Sequence, residues 1–138
     1  YKDGEFDVVL CSEVLEHIKE HEKAFSEISR VLKKRGYLLF SVPTYSKHNE
    51  REYKKFGHER PGYSIEDIKK LASKNGLEVL ERDYYDYFFG SMAFKLHNMF
   101  SNKVAIALLF YPLYALSMLD RLLKGGIPNG SLTLMRKI

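Results

Sequence analysis

A chain of 138 residues that is 45% apolar, 29% charged and 14% aromatic has the makeup of one globular domain. That apolar fraction can offset the ordering entropy of a compact fold, which excludes collagenous, low-complexity and broadly disordered classes. With 22 basic against 18 acidic residues the net charge is only +4, and Lys33-Lys34-Arg35 and Lys54-Lys55 read as solvated surface runs, so a nucleic-acid partner is not expected.

Phe6-Asp7-Val8-Val9-Leu10-Cys11 is a short apolar run, β-branched at its middle, and predicts a strand buried on both faces. Cys11 is the single cysteine. It can make no internal disulfide, and no secretory leader opens the sequence, so a cytoplasmic setting is expected. The chain opens on Tyr1 and not Met, which suggests a piece of a longer protein. After Ser12, a turn or cap residue, Val14, Leu15, Ile18, Ala24, Phe25, Ile28, Val31 and Leu32 recur at helical spacing until Gly36 stops the pattern. Tyr37-Leu38-Leu39-Phe40-Ser41-Val42 predicts a second buried strand ended by Pro43. Strand, helix and strand over about forty residues make a βαβ unit with parallel strands.

Residues 44 to 62 form a long polar linker, and a loop of this length inside a compact domain points to function. Ser64 with Asp67 resembles a capping box, and Ile65, Ile68, Leu71 and Ala72 give the following helix one apolar face up to Asn75-Gly76. Residues 77 to 87 and 131 to 138 have the content of two further strands.

Between those strands, Phe89, Met92, Leu96, Met99 and Phe100 fall at helical spacing, and residues 104 to 119 carry no charge. Sixteen uncharged residues interrupted by Pro112 fall short of the roughly 20 needed to span a bilayer. Residues 88 to 124 hold Lys95, Lys103, Arg121 and Lys124 against Asp120. Two short helices lying at a membrane face, broken at Pro112, are therefore expected, with packing on the sheet or a dimer contact as the alternative.

Phe6-Asp7-Val8-Val9, then Ser12-Glu13-Val14-Leu15-Glu16-His17-Ile18, Glu27-Ile28-Ser29-Arg30-Val31-Leu32-Lys33 and Gly36-Tyr37-Leu38-Leu39-Phe40-Ser41-Val42-Pro43 together resemble the second half of a class I S-adenosylmethionine-dependent methyltransferase. The match is close over residues 6 to 43 and looser from Ser64 through the next strand. It departs at Lys34-Arg35-Gly36, where the family usually has Pro-Gly-Gly. It also lacks the glycine-rich loop, since no Gly-x-Gly occurs in the chain. The resemblance implies an α/β, Rossmann-like sheet of which residues 1 to 138 supply strands four to seven, with residues 88 to 124 as an apolar helical insert.

In open α/β sheets ligands sit beyond the carboxyl ends of the strands, here Cys11-Ser12-Glu13 and Val42-Pro43-Thr44. The resemblance makes Cys11 and Ser12 contacts to the methionine end of S-adenosylmethionine, while the Cys11 side chain reads equally as a small core hydrophobe. On a helix start Glu13, Glu16 and His17 would share one face, with His58 arriving from the long loop. This Glu-x-x-Glu-His with a distant His resembles the divalent-metal site of ubiquinone-biosynthesis O-methyltransferases and of small-RNA 3′-end methyltransferases. It implies Mg²⁺, Mn²⁺ or Zn²⁺ on Glu13, Glu16, His17 and His58. The alternative is that the carboxylates favour a helix N-terminus and His17 is a satisfied pocket histidine. Without metal, His17 is the best general base in the chain.

Tyr45, His48, His58, Arg60 and Tyr63 would then shape the acceptor site, Arg60 either gripping a phosphate or carboxylate or pairing locally with Glu59. The expected function is methylation of a hydroxyl on a lipid-like, quinone or glycolipid acceptor at the inner membrane surface. RNA-end methylation and a non-catalytic docking module are the competing readings.

Overall fold

The computed structural model describes residues 1–85, 87–99, 103–123 and 128–138. They divide into two compact units, residues 1–83 with 131–138, and residues 84–130.

The first unit opens with β1 (Phe6–Ser12), passes through a single 3₁₀ turn at Leu15–His17 into α1 (His21–Val31), and returns as β2 (Leu32–Pro43). β1 and β2 pair in parallel, with Val8 opposite Tyr37, Cys11 opposite Phe40 and Ser12 opposite Ser41, as the βαβ reading requires. The register shifts between Phe6 and Val8. There Arg35 takes a left-handed φ of 65°, and a side chain on Gly36 would stand 2.9 Å from the Lys33 carbonyl and 3.0 Å from that of Asp7. Glycine at this position leaves room for that close backbone approach.

The helix predicted from Val14 begins only at His21. Glu13 sits at φ 50° and Ile18 is extended, so the helical path is broken twice. The guanidinium of Arg60 donates to the carbonyls of Ile18 and Lys19, which a continuous helix would use internally, and to that of Leu15, which also accepts from Ile18 N.

The linker is structured: α2 (Lys47–Glu52) is capped by Ser46, and a 3₁₀ turn follows at Tyr53–Phe56. α3 (Ile65–Lys74) begins with the predicted capping box, in which the Ser64 hydroxyl accepts from Asp67 N and the Asp67 carboxylate accepts from Ser64 N. β3 (Leu77–Tyr85) and β4 (Gly130–Lys137) complete a sheet of order β1-β2-β4-β3, with the last strand inside it. α1 and α3 supply Phe25, Ile68, Leu71 and Ala72 to one core with Leu38, Phe40 and Val42 of β2, Leu77 of β3 and Met135 of β4. Lys137 Nζ of β4 donates to the Ser29 and Leu32 carbonyls at the end of α1, at 2.6 and 2.8 Å. The opposite face is open at β1, where Val8 and Leu10 are 61% and 66% exposed. A strand buried on both faces was expected there, and only one face of β1 is covered.

The second unit holds α4 (Phe88–Met99) and α5 (Lys103–Leu123). The Asp120 carboxylate of α5 accepts from the N–H groups of Phe89 and Gly90 at 3.1 and 2.9 Å, capping the start of α4. α5 runs unbroken through Pro112, contrary to the expected break. A proline removes one backbone donor from the ladder, and the Leu, Ala and Met residues around it are strong enough helix formers to carry the helix past that loss. Among the described residues no helix is long and apolar enough to cross a membrane.

Candidate functional site at the carboxyl ends of β1 and β2

Parallel pairing brings Ser12 and Ser41 side by side at the strand ends, their hydroxyls 2.9 Å apart. Ser41 Oγ donates to Glu13 Oε1 at 3.0 Å. Each hydroxyl has one proton, so the relay runs from Ser12 to Ser41 to the Glu13 carboxylate. Glu13 N also donates to the Ser41 carbonyl, at 3.0 Å, which pins the residue in its left-handed conformation. Ser12 is exposed at the strand end, whereas the Cys11 thiol lies in the core, 7% exposed. Of the two readings open for Cys11, the structure gives its side chain the core position. Burial pushes its pKa up to about 11, with Glu16 and Glu13 adding to the effect.

The loop after α2 returns to the strand ends through backbone bonds. Tyr63 N donates to the Pro43 carbonyl at 2.9 Å, and Glu59 N donates to the Glu16 carbonyl at 2.7 Å. Gly62 makes this approach possible, at φ 120°, because a Cβ there would stand 2.6 Å from the Pro43 oxygen. The consequence is a cluster of Glu16, His17 and His58, whose potential ligand atoms all lie within 4.8 Å of one another.

Glu16 is fully buried, and neither carboxylate oxygen has a hydrogen-bond partner. Burial raises its pKa and the nearby Glu13 carboxylate adds to the rise, against the opposing pull of its own backbone N–H and of His17. His17 Nε2 lies 3.8 Å from Glu16 Oε1, while His17 Nδ1 lies 3.1 Å from the Gly57 carbonyl. A carbonyl can only accept, so Nδ1 donates to it, and this contact turns Nε2 toward Glu16. The His17 and His58 rings are 4.6 Å apart and perpendicular. Burial, and then the charge His17 can carry, lower the pKa of His58 and favour its neutral imidazole. A hollow of about 420 Å³ bounded by Tyr53, Lys54, Gly57, His58 and Glu59 opens beside this cluster.

A buried carboxyl group and two imidazoles within reach form a donor set that a divalent cation fits. Glu13, expected as a fourth ligand, lies outside the three-residue cluster, its carboxylate turned to Ser41. The shared helical face that was to unite Glu13 and Glu16 does not form, because Glu13 precedes the 3₁₀ turn in a non-helical conformation.

The four residues expected around the acceptor separate. Tyr45 is exposed and its hydroxyl donates to Glu50 at 3.3 Å. The side chain of His48 lies outside the described residues. The Arg60 guanidinium donates to three backbone carbonyls and to Tyr63 Oη rather than pairing with Glu59. Tyr63 is a core residue, 2% exposed, its hydroxyl 2.9 Å from His21 Nδ1. Sequence reasoning missed Ser41 and assigned nothing to His21. Only the register of β2 against β1 could have flagged Ser41.

The sheet order and the polar cluster beyond the carboxyl ends of the first two strands define a class I S-adenosylmethionine-dependent methyltransferase domain. The family model of the methyltransferase domain matches residues 1–82, and the chain belongs to that family. Over 111 residues, 73% of this chain and 33% of the other, it is 30% identical to sterol 4-C-methyltransferase strm-1 of Caenorhabditis elegans. An S-adenosylmethionine-dependent methyltransferase of Archaeoglobus fulgidus superposes with a TM-score of 0.62 at 20% identity, over 98% of this chain and 61% of that one. Phosphoethanolamine N-methyltransferase 2 of Haemonchus contortus, in complex with S-adenosyl-L-methionine, superposes with a TM-score of 0.57 at 18% identity, over 99% and 34%. Both likenesses establish the fold. The chain spans 18% and 33% of the length of the curated relatives it matches.

Proposed function

We propose that this domain serves S-adenosylmethionine-dependent methylation of a hydroxyl on a lipid-like acceptor, of quinone, sterol-like or glycolipid character, and that Glu16, His17 and His58 hold a divalent cation for that reaction. The observation that carries the reading is the Glu16 carboxylate, buried without a hydrogen-bond donor beside two imidazoles. One carboxylate and two imidazoles suit Mn²⁺ or Zn²⁺ better than Mg²⁺. A cation held there by Glu16, His17 and His58 would supply Lewis acidity that makes an acceptor hydroxyl more acidic. The chain's own residues do the rest. Gly57 orients His17, the Glu59 to Glu16 backbone bond holds the loop that carries His58, and Ser12 with the backbone at Cys11 would receive the methionine end of the cofactor. Methyl transfer needs alignment of the acceptor oxygen with the methyl carbon, and removal of the hydroxyl proton. Lipid character is supported by the sterol acceptor in the name of the C. elegans relative and by the apolar helices of the second unit.

The test is transfer of labelled methyl from S-adenosylmethionine by the native enzyme to hydroquinone, sterol and glycolipid acceptors, with and without chelator. Label in a base-stable ether, lost on chelation and restored by Mn²⁺, is the expected result. Label in RNA overturns the acceptor class. A rate unchanged by chelator overturns the cation and leaves His17 Nε2 as the proton acceptor.

A further inference from the structure

α5 divides into two faces that differ in kind. Phe110, Leu113, Ser117 and Asp120 are shielded to differing degrees, Asp120 fully buried. Val104, Leu108, Tyr111, Pro112, Ala115, Met118 and Leu119 lie within one arc on the other side, and all are exposed, Leu108 at 70% and Met118 at 75%. At 100° per residue that arc covers a third of the helix circumference, and the only polar atom its side chains carry is the Tyr111 hydroxyl. A helix bordering water places polar residues there. Its apolar stripe normally turns to the core.

Asp120 is the sole Asp or Glu between residues 87 and 138. Its carboxylate is turned inward to the N–H groups of Phe89 and Gly90, where the start of α4 offsets its charge. The same stretch of sequence, residues 88 to 124, contains Lys95, Lys103, Arg121 and Lys124. The helix pair therefore offers an apolar stripe in a segment whose excess charge is positive and whose one acid is internally used. A second copy of the chain would have to pair this cationic segment with itself.

We propose that the exposed face of α5 docks in the plane of a membrane surface rich in anionic phospholipid, with Leu108, Tyr111 and Met118 entering the acyl boundary. Apolar burial supplies the affinity and the segment's cations supply the preference for anionic headgroups. The inference stands independently of the methyl acceptor, because binding to vesicles needs neither cofactor nor acceptor.

The test is flotation of the whole chain with vesicles of phosphatidylcholine alone and of phosphatidylcholine with phosphatidylserine, at low and high salt. Stronger binding to the anionic vesicles, weakened by salt, is expected. The double variant Leu108→Glu with Met118→Glu lowers partitioning about a hundredfold. Because that variant could be misfolded, Leu108→Trp gives a second readout. The chain has no tryptophan, so a blue-shifted emission that is shielded from aqueous quencher on vesicle addition reports insertion directly. No binding to either vesicle, or a chain dimer that the Glu variants dissociate while vesicles leave the emission of the Leu108→Trp variant unchanged, overturns the proposal.

Discussion

His17 Nδ1 lies 3.1 Å from the carbonyl oxygen of Gly57, forty residues further along the chain. This single contact sets the imidazole tautomer and turns Nε2 toward Glu16, so the loop that brings His58 also prepares His17. Replacing Glu16, His17 or His58 singly by Ala is expected to weaken Mn²⁺ or Zn²⁺ binding to the purified chain by at least about 10–100-fold, with Glu13→Ala far milder. Calorimetric titration with the metal alone checks this. Equal losses in all four variants would restore Glu13 as a ligand, and no binding by the unaltered chain would remove the cation.

Gly62→Ala is expected to cost about 1–3 kcal/mol from its backbone conformation, with a further loss from the Cβ placed against Pro43 and Thr44. Gly57→Ala, at φ 70° with open space around it, is the control and costs about 1 kcal/mol. Urea unfolding of both separates the close approach from backbone strain alone.

Arg60→Lys keeps the charge and loses the planar fork that serves the Leu15, Ile18 and Lys19 carbonyls. A stability loss of about 1–3 kcal/mol is expected, because the Ile18 and Lys19 carbonyls lose their guanidinium donors. An undiminished midpoint in urea, combined with a raised acceptor KM in the native enzyme, would instead return Arg60 to the acceptor.

Burial, and then the Arg60 charge, lower the pKa of His21, while Glu22 and Asp67 oppose the shift and Tyr63 Oη holds Nδ1. As pH falls below the ordinary value of 6.5, the unfolded chain takes up this proton before the folded one does. The contribution of His21 to stability is therefore fully present above that value, and it is lost as pH falls toward the folded pKa. Chemical denaturation between pH 5 and 8 should show a steeper decline toward acid in the unaltered chain than in His21→Gln.

Cys11, buried and with its thiol pKa raised to about 11, should resist alkylation at pH 8 and react only through unfolding. Iodoacetamide labelling followed by mass spectrometry over a urea series should rise along the unfolding curve. Rapid labelling of the native chain would place the thiol at the surface.

The α3 capping box was legible in sequence because Ser64 and Asp67 act across three residues, and the strands were legible because apolar runs ended in turn residues. The helix start after β1 was not. Glu13 has no residue-type signal for its φ of 50°, and the guanidinium that takes the carbonyls of Leu15 and Ile18 belongs to a residue more than forty positions away. The same distance hid the fate of Arg60 and Tyr63, whose polarity suggested a site and whose contacts make them core supports. His17 and His58 were readable as a pair by resemblance, but the backbone bond from Glu59 to Glu16 that joins them was not.

The sheet order has a consequence for how the protein is made. β4 follows β3 in the chain, yet it lies between β2 and β3. On the ribosome β3 is complete some fifty residues before β4 is, which at about 5–20 residues per second leaves both neighbouring edges unpaired for roughly 3–10 s. Nor can Lys137 reach the Ser29 and Leu32 carbonyls until β4 itself emerges. The nascent chain therefore passes through an interval in which a chaperone, or another nascent strand, can compete for the gap that β4 fills.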